Sequence, residues 1–273
     1  MTLSGADIAR LLSAHGLRPS RALGQNFVAD PNTVRRIARL SGAGPGSQVL
    51  EIGAGLGSLT LALAETGARV VAVEADRHLF PVLRSVVDGA GVETVEGDAL
   101  ELDLGALLSE RDPGPWSLVA NLPYNVATPL VLKTLVEVPA VADLLVMVQR
   151  EVGERMAAAA GEDPYGAVSV RIAYFARAEV VGRVPASVFI PRPRVESVLV
   201  RLVRLPEPAV DPSFVTYDRL DAVVRAGFAQ RRKMLRRSLA GVIDPDAFAR
   251  AGVRPDARAE ELDVAAWGRL AAL

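Results

Sequence analysis

From residue 47 onward, short apolar runs rich in β-branched residues alternate with segments of helical spacing, and this alternation leaves few folds open. The strand candidates are 48–52, 69–73, 92–95, 117–120 and 144–148, with helical spacing at 59–65, 77–87, 129–136 and 151–159. Nearly continuous apolar strands separated by helices predict a parallel sheet covered on both faces. Two helical segments, 7–14 and 32–40, come first, joined through a connector at 23–30. After residue 165 the texture changes: 178–184 and 197–203 read as further strands around the proline-rich stretch 189–195. The segment 205–212 holds three prolines and few apolar residues, which marks a domain boundary. Beyond it, helical segments at 213–228, 231–240, 246–251 and 259–271 show no strand pattern. The expected architecture is α/β: a Rossmann-like sheet over residues 1–205, including an N-terminal helical segment 1–46, then a small all-helical C-terminal domain over 206–273.

Composition removes several kinds of chemistry. The chain has no cysteine, which excludes a disulfide framework, a Cys-zinc site and thiol catalysis. Its two histidines, His15 and His78, cannot form a multi-histidine metal site, so no metal is expected. No signal-peptide pattern opens the chain, and no apolar run approaches the roughly 18 residues of a spanning helix. A soluble, cytoplasmic protein without a membrane partner is expected. Net charge is −1, yet the charge is segregated. Arg10, Arg18, Arg21, Arg35, Arg36 and Arg39 face only Asp30 between residues 10 and 39. Arg225, Arg231, Arg232, Lys233, Arg236 and Arg237 stand in a stretch without an acid. Such clustering can build a local basic surface on a near-neutral protein.

The run Val49-Leu50-Glu51-Ile52-Gly53-Ala54-Gly55-Leu56-Gly57-Ser58 reads as strand, glycine turn and helix start. Glycines such as Gly53 and Gly55 let the backbone turn sharply and approach a ligand without a Cβ in the way. The dinucleotide fingerprint fails, because its third glycine position is Ser58. Gly-x-Gly-x-Gly with Glu51 two positions ahead suits a ligand lacking a pyrophosphate. Its carboxylate and ammonium would meet backbone N–H groups and the nearby acid. Glu74 closes the second strand, where an acid can accept both hydrogens of a ribose diol. Asp98, after the third strand, can accept from an adenine amino group. A nucleoside with a charged tail, S-adenosyl-L-methionine, is the simplest ligand to fit these three acids.

The fourth strand ends in Asn121-Leu122-Pro123-Tyr124-Asn125. The Asn121 carboxamide oxygen and a main-chain carbonyl can both accept from an exocyclic amine, and Tyr124 offers a face for a base. An aryl amine is a poor nucleophile because its lone pair is delocalised into the ring. Holding both N–H groups favours a pyramidal nitrogen and stabilises the charge that develops on attack.

These segments resemble the ribosomal RNA adenine N6,N6-dimethyltransferases, most closely their small-subunit branch, the KsgA/RsmA family. The match runs through Leu23–Val28, Glu51–Gly57, Val73–Asp76, Gly97–Ala99, Asn121–Asn125, Met147–Val152, Tyr165–Val170 and Phe189–Ser197. The basic segment Phe228–Lys233 extends it into the C-terminal domain. The resemblance implies a class I methyltransferase sheet and the cofactor S-adenosyl-L-methionine. It implies that Gln25, Asn26 and Val28 lie over the methionine end, with Gly53, Glu74 and Asp98 on the remaining parts. Val28 stands where leucine is frequent. Asn121 and the Pro123 carbonyl would orient the target amine, Tyr124 would stack on the base, and Phe189 would approach it from the other side. The implied reaction dimethylates N6 of two adjacent adenosines near the 3′ end of 16S rRNA in the small ribosomal subunit. The base must leave its hairpin stack to reach the pocket. The N-terminal arginines and Arg225, Arg231, Arg232, Lys233 and Arg236 then become phosphate contacts of a monomeric, RNA-binding enzyme.

Two other readings compete with this one. An Erm-type 23S rRNA adenine N6-methyltransferase shares the chemistry, but Leu23–Asn26, Leu122 and Phe189–Ser197 favour the small-subunit form. A non-catalytic ribosome-assembly factor on the same fold is disfavoured by the intact Asn121–Tyr124 segment and glycine turn.

Overall fold

A computed structural model describes residues 2–20 and 23–273, so Arg21 lies outside the described residues. The chain forms two compact units, one of Met1–Gly153 with Val180–Val203 and one of Glu154–Glu179 with Arg204–Leu273. The strands, in chain order, are β1 (Phe27–Val28), β2 (Gln48–Ile52), β3 (Arg69–Glu74), β4 (Glu93–Glu96) and β5 (Trp116–Asn121). They continue with β6 (Val141–Gln149), β7 (Ala176–Val184), β8 (Phe189–Ile190) and β9 (Ser197–Arg204). Seven of them make one sheet of order β4-β3-β2-β5-β6-β9-β7. The pairs from β4 through β6 are parallel, whereas β9 runs antiparallel to β6. The short strands β1 and β8 pair separately and antiparallel, Val28 opposite Phe189.

Burial explains why the central strands read as continuous apolar runs. Every residue of β2 after Gln48 and of β3 after Arg69 is buried, as expected for a sheet covered on both faces. Edge strand β4 has no buried residue and is correspondingly acidic. The strand order reverses between β3 and β5 around β2, which opens a crevice at the carboxyl ends of the strands, where such folds hold ligands. The glycine turn, Glu74, Asp98 and Asn121 all stand at those ends.

Local chemistry sets several helix starts. Asp30 accepts from the Asn32 and Thr33 amides at 3.3 and 3.0 Å and caps Pro31–Leu40, with proline in the first turn, where its missing N–H costs nothing. Ser4 and Asp7 form a capping box at Gly5–Ala14. The expected helix 231–240 shrinks to Leu235–Ser238. A continuous helix would stack Arg232 over Arg236 and Lys233 over Arg237, like charges at i,i+4. Two helices that were not expected, Leu104–Ser109 and Ala167–Phe175, also form.

The second unit corrects the single boundary expected at 205/206. The chain enters this unit at 154, leaves at 180 and returns at 204. Tyr165, Val170 and Tyr174 share an apolar cluster with Leu220, Val224, Leu235, Phe248, Trp267 and Leu270. The Tyr165 hydroxyl donates to the Leu262 carbonyl at 2.7 Å. No proline-rich linker precedes residue 154, because this segment is tied in by burial rather than by a change of composition. Among the described residues no helix is long and apolar enough to cross a membrane.

Gly227 lies inside helix Tyr217–Ala229, and a Cβ there would sit 2.4 Å from the buried Trp267 ring. Alanine should gain about 1 kcal/mol of helix propensity but lose about 1–3 kcal/mol to overpacking. Gly227→Ala should therefore lower the denaturant midpoint, measured by urea unfolding.

Candidate functional site

A single pocket draws on the ends of β2, β3, β4 and β5 and on the segment before β1. Gly53, Gly55, Glu51, Glu74, Asp98, Asn121, Pro123, Tyr124, Gln25, Asn26 and Val28 all line it. Gly53, Gly55 and Gly57 have φ of 74°, 59° and 87°, so the spacing Gly-x-Gly-x-Gly records three left-handed positions. A Cβ on Gly55 would also press within 3.1 Å of the Phe27 ring.

The turn's amides are spent on the protein itself. Gly53 and Ala54 both donate to the Val73 carbonyl, at 2.9 and 3.2 Å, and Gly57 donates to Ala54. The Gly55 amide donates to Glu74 Oε2 at 2.6 Å. The expectation that these N–H groups would meet a ligand carboxylate is corrected for these four residues: they lock the turn onto β3.

Two of the three acids are buried. Glu74 accepts from Gly55 on one oxygen and from the Asp76 amide at 2.8 Å on the other. Each oxygen keeps a further lone pair, the requirement for gripping a diol. Burial nevertheless raises its pKa above the ordinary carboxylate value. Glu51 is 2% exposed, and its Oε2 has no partner among the described residues. Burial pushes its carboxyl up to about 8 against the nearby Thr60 hydroxyl, with the charge of Glu74 adding to the rise. Asp98 is exposed, and its Oδ1 accepts the Leu100 amide at 2.9 Å.

At the end of β5, Asn121 Nδ2 donates to the Asn26 carbonyl at 2.9 Å. That bond fixes the sense of the carboxamide and leaves its oxygen as the acceptor. The Asn26 side chain donates to the Gly24 carbonyl at 3.0 Å. Gln25 Nε2 donates to Asp76 Oδ2 at 2.8 Å, while its Oε1 accepts the Ser20 amide at 2.8 Å. Both amide side chains thus pin the segment before β1.

Two expectations change here. The Pro123 carbonyl already accepts the Val126 and Ala127 amides, each at 3.1 Å, as the start of helix Ala127–Glu137. The Leu122 carbonyl, to which nothing donates among the described residues, is the open acceptor beside Asn121. Phe189 does not line the pocket: it is 3% exposed and packs with Val28, Val34 and Leu199 beneath the β1–β8 pairing.

Two partners escaped the sequence. Asp76 receives Gln25, and the fully buried Ser197 lies with its hydroxyl 3.1 Å from the Tyr124 hydroxyl. Both sit in segments with recognisable motifs, but a contact spanning 73 positions leaves no periodic or local signal.

The basic stretch of the second unit divides in two. Arg225 pairs with Asp221 at 3.3 Å, and Arg231 with Glu260 at 3.3 Å and the Asp163 carbonyl at 2.8 Å. Arg232, Lys233, Arg236 and Arg237 are exposed, with no ion pair to an acid among the described residues. In the first unit, Arg10 pairs with Asp7 and Arg35 with Glu65.

Residues 17–273 match the family model described as ribosomal RNA adenine dimethylase. Proteins called ribosomal RNA small subunit methyltransferase A are similar over most of their length. That of Phenylobacterium zucineum is 48% identical, covering 95% of this chain and 90% of the relative. That of Kineococcus radiotolerans is 44% identical, covering 99% and 91%. Among solved structures, a dimethyladenosine transferase from Plasmodium falciparum superposes with TM-score 0.73 at 25% identity, covering 88% of this chain and 94% of that one. The 23S rRNA methyltransferase ErmE superposes with TM-score 0.69 at 26% identity, covering 90% and 98%.

A buried carboxyl raised to about 8 makes stability depend on pH. Above the ordinary carboxylate range the unfolded chain has lost this proton while the folded one still holds it. Stability of the ligand-free protein should therefore fall as pH rises from about 4.5 to 8. Glu51→Gln should flatten that fall, leaving the smaller slope from Glu74, in urea unfolding at pH 6 and pH 8.5.

Proposed function

The chain belongs to the ribosomal RNA adenine dimethylase family, and from that premise we propose how its pocket and its basic surface work together. The reaction is transfer of methyl groups from S-adenosyl-L-methionine to N6 of two adjacent adenosines in the 3′-terminal hairpin of 16S rRNA. The product is N6,N6-dimethyladenosine, made during small-subunit maturation. Identity of 44–48% with small-subunit enzymes over 95–99% of the chain, against 26% with ErmE, supports this substrate over 23S rRNA.

The pocket's chemistry fits the cofactor. Bound there, S-adenosyl-L-methionine supplies an electrophilic methyl on a sulfonium. Glu74 keeps lone pairs for the ribose hydroxyls, and Asp98 Oδ2 is free for the adenine amino group. Glu51, with its unpartnered oxygen, suits the ligand's ammonium. Gln25, Asn26 and Val28 line the same pocket and are assigned to the methionine end.

The observation that carries the reading is the Asn121–Asn26 bond, which turns the Asn121 carboxamide oxygen into a fixed acceptor. With the Leu122 carbonyl beside it, both hydrogens of the target amine are held. The nitrogen lone pair leaves conjugation, and the positive charge that develops meets two oxygens fixed in advance. Tyr124 supplies the stacking face, and no side-chain base is required when the proton departs to water after transfer. The exposed cations Arg232, Lys233 and Arg236 contact RNA phosphates, whereas Arg225 and Arg231 serve mainly in the ion pairs they already make. The reading carries with it a cytoplasmic, monomeric protein acting on the small ribosomal subunit.

The direct test incubates the protein with labelled S-adenosyl-L-methionine and small subunits from cells lacking the modification, followed by nuclease digestion and mass analysis. N6,N6-dimethyladenosine in the 3′-terminal hairpin is expected; label confined to 23S RNA would replace the substrate. Asn121→Ala should lower the methylation rate by about 100-fold while changing cofactor affinity little. Equal losses in both would remove its role at the amine. Replacing Arg232, Lys233 and Arg236 together by alanine should weaken RNA binding and lower the slope of log affinity against log salt by about two.

A further inference from the structure

Arginine is the default cation of this chain, and lysine occurs only at 133 and 233. Lys133 lies on helix Ala127–Glu137 with its side chain only 15% exposed. Its ammonium donates to the Leu100 carbonyl at 2.7 Å and to the Leu102 carbonyl at 2.8 Å. Its nearest acid, Glu137, is 3.9 Å away and largely exposed, so the two carbonyls are the principal partners. An ammonium can direct separate N–H bonds from one atom to two converging carbonyls. A guanidinium carries its donors in a flat fork on a longer, planar head, so the compact single-nitrogen geometry here is lysine's.

Those carbonyls belong to the turn that begins at Asp98. The Asp98 carbonyl accepts the Glu101 and Leu102 amides, each at 2.9 Å, and its Oδ1 accepts the Leu100 amide. The start of the turn is tied to β3, since the Gly97 amide donates to the Glu74 carbonyl at 2.9 Å. A Cβ on Gly97 would meet the Leu102 side chain at 2.9 Å, so Leu102 closes back over the beginning of its own turn. Lys133 holds the other end: it is the donor to the Leu100 carbonyl, and it joins the Leu104 amide on the Leu102 carbonyl. Asp98 lines the pocket with one carboxylate oxygen engaged by the Leu100 amide, and no bond to Oδ2 is found among the described residues.

We infer that Lys133 is a positioning residue for adenine recognition: by clamping the Leu100 and Leu102 carbonyls it fixes the direction in which Asp98 presents its free oxygen to the amino group of the cofactor's adenine. The inference rests on the assignment of Asp98 to that amino group. Hydrogen-bond strength falls steeply with misalignment, so a loosened turn weakens discrimination before it weakens general binding. The ribose and methionine contacts come from other elements and stay in place.

The test compares binding of S-adenosylhomocysteine with that of S-inosylhomocysteine, in which a 6-oxo group replaces the amine, by calorimetry on the full chain. The wild type should prefer the adenine ligand by about tenfold or more. Asp98→Ala should abolish the preference, and Lys133→Met should lower it by about fivefold or more. Glu137→Gln, which leaves both carbonyl bonds intact, should not change it. The preference is a ratio within each variant, so a reduced folded fraction cancels. Should Lys133→Met fail to fold, Lys133→Arg provides the same ratio and should lower it as well. Asp98→Ala with its preference intact would overturn the adenine assignment itself. Asp98→Ala without a preference, alongside a Lys133 variant that retains it, would overturn the role of Lys133 alone.

Discussion

The carbonyl of Val73 accepts two amides of the glycine turn, Gly53 and Ala54, and the pocket depends on that junction. It fastens the turn after β2 to the last rung of β3, one residue before Glu74. Glu74 completes the fastening through the Gly55 amide and takes the Asp76 amide on its other oxygen. Three backbone donors from one turn are thus committed to the neighbouring strand. The three left-handed glycines are the stereochemical condition for it. Four amides of the turn, those of Gly53, Ala54, Gly55 and Gly57, are thereby satisfied within the protein, and Glu51, Glu74 and Asp98 bring carboxylates to the pocket.

That division has an electrostatic consequence. Glu51 and Glu74 are both buried beside the crevice; desolvation disfavours ionisation of each, and the charge of Glu74 adds to the effect at Glu51. A ligand carrying an ammonium and a sulfonium relieves this repulsion. The protein therefore stores destabilisation where a cation belongs, a common feature of sites built to bind rather than to hold the fold together.

Much of this was legible in the chain. The parallel strands were readable because burial on both faces makes each an unbroken apolar run, and β2 from Gln48 to Ile52 has the very limits that its pattern predicts. The glycine spacing, Glu74, Asp98 and Asn121 were readable because each sits at a strand end, where chain position maps directly onto one edge of the sheet. The helix Ala167–Phe175 was not, since its valines, isoleucine and aromatics carry strand propensity, and packing in the second unit overrides it. Phe189 misled for the opposite reason: a motif phenylalanine beside prolines can as readily face a core as a ligand.

The sequence by itself determined the sheet, the glycine turn, the chemistry at the strand ends and, through several motifs in order, the family. These are local properties: propensity, periodicity and backbone stereochemistry act over a few residues, and their imprint on composition is direct. Only the tertiary structure decided which groups were already spent and which remained open. The Pro123 carbonyl is consumed by a helix start and the Leu122 carbonyl is not. Asn121 is oriented by the main chain of Asn26, 95 positions away, and the Asp98 turn is clamped by Lys133. Hydrogen-bond capacity is finite at each atom, and its allocation is settled by which distant groups the fold brings within about 3 Å.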